Sequence, residues 1–69
     1  MVVFSELYGG YEISWRETGE QFVALVRLPR EERPPALIRA TVSEGMSVLK
    51  SRTRAAIDAG EIERYRPTL

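Results

Sequence analysis

The side chains able to do acid–base work in this sequence are ten carboxylates, one lysine and three tyrosines, because it contains neither histidine nor cysteine. That removes the commonest general base and the thiolate and imidazole metal ligands at once. Glu6, Glu12, Glu17, Glu20, Glu31, Glu32, Glu44, Asp58, Glu61 and Glu63 fall mostly in loops, caps or polar faces. Carboxylates there usually act as hydrated surface charges. Ser43, Ser47 and Ser51 have no neighbouring base to activate them. Gly9-Gly10 lacks both the spacing and the following lysine of a phosphate-binding loop. The expectation is a chain that is not an enzyme, with no cofactor and no metal.

Cationic chemistry is the next possibility. Lys50 and Arg54 stand one turn apart in a helical stretch, and Arg39 lies in the strand before it. These three are the candidate nucleic-acid contacts, reading phosphate and 2′-OH rather than base edges. Arg52 does not join them: at about 100° per residue it sits about 200° round from Lys50, on the border of the apolar stripe. Ten basic and ten acidic residues cancel, so no global field draws the chain to nucleic acid or an anionic membrane. A protein partner is therefore the favoured expectation over nucleic acid.

The elements that must position these groups follow from periodicity. Thr41 to Gly60 reads as the one long helix, opened by a Thr41/Glu44 capping box and closed by Gly60. Val42, Gly45, Met46, Leu49, Thr53, Ala56 and Ile57 form its apolar stripe. Upstream, Tyr11 to Arg16 alternates, with Tyr11, Ile13 and Trp15 on one side. Glu17-Thr18-Gly19-Glu20 is a hairpin loop with Gly19 available for a left-handed position. Gln21 to Leu28 is apolar on both faces, Phe22, Ala24, Val26 and Leu28 on one and Val23 and Leu25 on the other. Pro29 to Pro35 cannot continue a ladder and reads as an exposed loop, and Ala36 to Ala40 gives a third short strand. Met1 to Leu7 fits an extra edge strand or a segment packed beside the sheet, and the pattern leaves the two open. Residues 61–69 have no sustained period and predict a frayed tail.

The predicted fold is thus α+β in a single domain over residues 1–69. A three-stranded antiparallel meander, β-β-β-α, carries one C-terminal helix on one face. A single helix leaves the other face of Gln21 to Leu28 uncovered. If Phe22, Ala24 and Val26 face the helix, Val23 and Leu25 point away from it. Those two, with Trp15 and Tyr11 as aromatic anchors, are the candidate interface residues. Core packing across strands is the plainer role for Tyr11, Trp15 and Phe22. A 69-residue chain without cysteine or histidine has self-association left as its means of extra burial, so a homodimer is expected. The longest apolar run, Phe22 to Val26, is too short to span a bilayer, and MVVFSELYGG lacks a basic leader; a cytoplasmic location is expected.

Over Gly9 to Ala59 the sequence resembles the HicB-like family, whose N-terminal domain has a partial double-stranded-RNA-binding fold. The matching residues are Gly9-Gly10-Tyr11, a strand closing on Leu28-Pro29, and a third strand running into Thr41-Val42-Ser43-Glu44-Gly45-Met46. Gly45 stands where the family commonly has alanine, and the PREERPP loop replaces a shorter turn. The resemblance implies an antitoxin that binds a small ribonuclease toxin and self-associates.

Overall fold

The computed structural model describes residues 2–67. Four antiparallel strands follow one another as a meander, β1 (Val2–Tyr8), β2 (Tyr11–Glu17), β3 (Gln21–Arg27) and β4 (Ala36–Thr41), in spatial order β1-β2-β3-β4. One helix, α1 (Met46–Asp58), and a 3₁₀ turn at Ile62–Tyr65 complete the α+β fold. The sheet has four strands where the sequence pattern predicted three, because the N-terminal segment pairs along β2 from Phe4 opposite Trp15 to Tyr8 opposite Tyr11. Met1, Thr68 and Leu69, assigned above to the first strand and the tail, lie outside the described residues.

The first hairpin is closed by Gly9 and Gly10, both at positive φ (57° and 85°), the signs that a two-residue type I′ turn requires. The second hairpin closes differently from the expectation. Gly19 is not left-handed; instead the Thr18 hydroxyl donates to the Gln21 carbonyl (3.0 Å) and accepts from the Gln21 N–H (3.1 Å). After β3, Leu28 to Glu31 makes a turn closed by the Glu31 N–H on the Leu28 carbonyl (3.1 Å), with Pro29 second and Arg30 at φ 65° third.

The Thr41/Glu44 pair forms as predicted, the Thr41 N–H donating to Glu44 Oε1 (2.9 Å) and the Glu44 N–H to Thr41 Oγ1 (3.1 Å). It closes a turn rather than the helix itself. Thr41 is still paired with Gln21 as the last residue of β4, and Gly45 at φ 88° redirects the chain before α1 begins at Met46. Val42 consequently lies outside the helix and is exposed, a correction to the predicted apolar stripe. At the other end Gly60 (φ 70°) sits in a Schellman cap, its N–H on the Ile57 carbonyl and the Glu61 N–H on Ala56.

Leu49, Thr53 and Ala56 are the buried stripe of α1, which lies over β3 and β4. They meet Ile13, Trp15, Ala24, Val26, Ala36, Ile38 and Ala40 from the sheet. Thr53 satisfies its hydroxyl on the Leu49 carbonyl (2.8 Å). The tail is not frayed from Glu61 onward: Ile62 is buried against β4, and Arg66, nearly buried, donates to the Pro34 carbonyl (2.6 Å). No helix among the described residues is long and apolar enough to cross a membrane.

The glycine turn explains a demand at one position. A Cβ on Gly9 would stand 2.8 Å from Ile57 Cγ2, whereas one on Gly10 meets nothing. Both substitutions incur the left-handed penalty of roughly 1–2 kcal/mol for an L-residue. Gly9→Ala must also displace a β-branched side chain with little rotamer freedom in a helix. Urea denaturation should show Gly9→Ala the more damaging of the two, and Ile57→Ala should close the gap between them. Equal losses for both glycines would contradict this packing.

Candidate interaction surface

The two faces of the sheet are chemically distinct. Phe4, Glu6, Tyr8, Tyr11, Ile13, Trp15, Phe22, Ala24, Val26, Ala36, Ile38 and Ala40 share the helix side through the strand register. Trp15 is 0% exposed there, so it cannot anchor a partner, and this corrects its assignment as an interface residue. The cause is β1, which supplies the indole with what it needs to be buried. Glu6 Oε1 accepts the Trp15 Nε1–H at 2.8 Å, and the Phe4 ring lies 6.0 Å away at 39°. Tyr11 is half-buried and packs against the same core, so it too leaves the interface set.

Val23 and Leu25 do point away from the helix. Val23 is directly opposite Arg16 on one side and Arg39 on the other, and it is only 9% exposed. Arginine stems on both flanks account for that cover. Leu25 is half-buried between Ser14 and Leu37. Reading across the open face, the central row runs Ser5, Ser14, Leu25, Leu37, small residues over β1 and β2 and large ones over β3 and β4. The next row runs Leu7, Glu12 and Arg27, with Leu7 71% exposed and Arg27 Nε 3.9 Å from Glu12. The small residues leave a depression of about 440 Å³, walled by Leu7, Glu12, Arg16, Leu25, Arg27 and Pro35.

The three candidate nucleic-acid residues do not converge. Arg39 is on the open face, across the sheet from Lys50 and Arg54 on the helix. Lys50 Nζ lies 4.6 Å over the Phe4 ring, and Arg54 sits 5.6 Å over Tyr8 with its Nη2 3.4 Å from Glu6. Both cations are thus engaged in holding β1 to the helix. A shallower depression beside them, about 530 Å³, contains a closed pair of its own, the Tyr8 hydroxyl donating to Asp58 at 3.0 Å. That bond is the first cause holding the Tyr8 phenol above its ordinary range.

Other charged groups are likewise paired. Arg52 donates to both oxygens of Glu44 and to the Arg39 carbonyl (3.1 Å). With the Thr41 N–H adding to it, that guanidinium lowers the Glu44 carboxyl to about 2. Arg33 and Arg66 bracket Glu31 and Glu63, lowering both carboxyls, Glu31 chiefly through Arg33 and Glu63 chiefly through Arg66. Arg66 Nη2 is 3.0 Å from Glu31 Oε1 as an ion pair off the hydrogen-bond line. This clasp of the 29–35 loop to the tail escaped the sequence reading; Glu63 and Arg66 at i,i+3 beside an apolar Ile62 were its only signal. No group of three or more acidic side chains among the described residues is placed to hold a metal.

No family model, curated protein or solved structure matches the chain.

The Glu44 shift has a definite pH consequence. A carboxyl whose folded pKa is depressed contributes stability that is complete above its ordinary value of 4.5 and lost as pH falls toward about 2. Glu44→Gln should therefore be less stable than the wild type at neutral pH, with the difference vanishing in acid. A difference that stays constant across that range would contradict the pairing.

Proposed function

We propose that the chain is a non-enzymatic interaction module that works as a homodimer through the open face of its sheet. One observation carries this reading: Leu25 and Leu37 stand side by side in the central row of the face that α1 leaves uncovered, with Leu7 exposed at its margin. Apolar side chains gathered on one surface favour association, since burying them releases about 25 cal/mol per Å². A second copy is the occupant we infer, because the face carries a hollow beside its leucines and an acidic and a basic side chain in one row, and so can complement itself.

The other readings have less support. The resolved carboxyl shifts are all downward and the arginine shifts all upward, which favours ion pairing over an acid or base poised near neutrality. Nucleic-acid binding is disfavoured by the separation of Arg39 from Lys50 and Arg54. The open face also lacks an aromatic side chain on which a base could stack, since Phe4, Tyr8, Tyr11, Trp15 and Phe22 are on the other side and Tyr65 is in the 3₁₀ turn.

Sedimentation equilibrium at micromolar concentrations tests the proposal, with a monomer–dimer equilibrium as the expected result. Arg16, Arg27 and Arg39 outnumber Glu12 on this face, so like charges oppose association. Raising salt from about 0.1 M to about 1 M, which shortens the Debye length from ~10 Å to ~3 Å, should tighten the dimer. A monomer at all concentrations would overturn the reading, and a phosphate-contacting module would instead bind RNA more weakly as salt rises.

A further inference from the structure

The open face is uneven in a regular way. Its central row is small over β1 and β2 (Ser5, Ser14) and large over β3 and β4 (Leu25, Leu37), one half a hollow and the other a ridge. Two sheets packing face to face lie about 10 Å apart with strands aligned to within about 30°. A two-fold axis can enter such an interface along the strands or across them, and the two choices pair the residues differently.

An axis running across the strands through the central row places each strand on its own counterpart. Ridge would then meet ridge and hollow would meet hollow, leaving overlap on one side and a void on the other. An axis running along the strands, between β2 and β3, exchanges β2 with β3 and β1 with β4 while keeping each residue in its row. Ser14 then receives the partner's Leu25, and Ser5 receives the partner's Leu37. In the neighbouring row Glu12 faces the partner's Arg27. Shape selects this axis, since Glu12 meets an arginine of the partner under either one, Arg27 here and Arg16 with the axis across the strands.

We infer that two copies of this chain meet about a two-fold axis along the strands, the Leu25/Leu37 ridge of each seated in the Ser5/Ser14 hollow of the other. The inference rests on the homodimer reading above and goes beyond it by fixing which residues meet. Such an interface is isologous: if Ser14 touches the partner's Leu25, Leu25 touches the partner's Ser14. It leaves β1 and β4 as the outer edges of both sheets and the helices facing outward.

A ridge-and-hollow exchange within one chain tests it. Ser14→Leu fills the hollow and Leu25→Ser removes the ridge, so each alone should weaken the dimer by about tenfold or more, a factor corresponding to 1.4 kcal/mol. The double variant Ser14→Leu/Leu25→Ser exchanges ridge and hollow at those positions, and under this axis it restores the fit. Its dissociation constant should return to within about threefold of the wild type. Far-UV circular dichroism at a dilution where the wild type is monomeric checks that each variant folds. A wild-type dimer unaffected by either single change, or a double variant as weak as the two losses combined, overturns this geometry and leaves the homodimer standing. A monomeric wild type overturns both.

Discussion

Coverage limits this fold. An α-helix is about 10 Å wide with its side chains and strands are ~4.8 Å apart, so one helix shields about two strands of one face. Helix α1 takes β3 and β4, where Leu49, Thr53 and Ala56 close over the alanines and branched residues beneath. The small side chains of Ala24, Ala36 and Ala40 let it lie close. Everything else in the molecule responds to what remains uncovered.

On the helix side, the remainder is β1 and β2, and long side chains reach across to shield them. Glu6 joins Trp15 of β2 to Arg54 of the helix, Phe4 lies under Lys50, and Tyr8 is tied to Asp58. These contacts turn most of the helix's cations inward to structural work. They also explain how a tryptophan can be buried in so small a domain: its indole N–H has a carboxylate partner, and removing that partner would leave a buried donor unsatisfied. On the far side of the sheet no second layer exists among the described residues. Arg16 and Arg39 shield Val23, but Leu25 and Leu37 have only serine and each other as row neighbours.

Much of this was legible in the residues. The alternation of Tyr11 to Arg16 and the two-faced character of Gln21 to Leu28 mark the central strands and separate Val23 and Leu25 from Phe22, Ala24 and Val26, but which of the two sets the helix covers is decided only by the tertiary structure. The first strand was ambiguous because Val2-Val3-Phe4 is a continuous apolar run followed by Ser5-Glu6-Leu7, without a clean period of two. Its membership in the sheet depends on the Gly9-Gly10 turn and on a partner for Trp15, which is tertiary information. The helix start was misplaced by five residues because the capping pair is local chemistry that serves a turn as well as a helix. Arg66 and Ile62 were missed for a related reason: a short 3₁₀ segment has too few residues to show a period. Among the residues carrying the HicB-like resemblance, Gly9-Gly10 and the Thr41/Glu44 pair close local turns here.

The proposed association covers the open face of the sheet. Paramagnetic relaxation of methyl protons by a soluble gadolinium chelate reads coverage residue by residue. In dilute solution the Leu25 and Leu37 methyls should be accessible to the probe; on concentration they should become shielded, while Met46 and Val48 on the helix remain unchanged. Relaxation at Leu25 and Leu37 that is the same at both concentrations, or shielding that appears at the helix instead, would contradict the account.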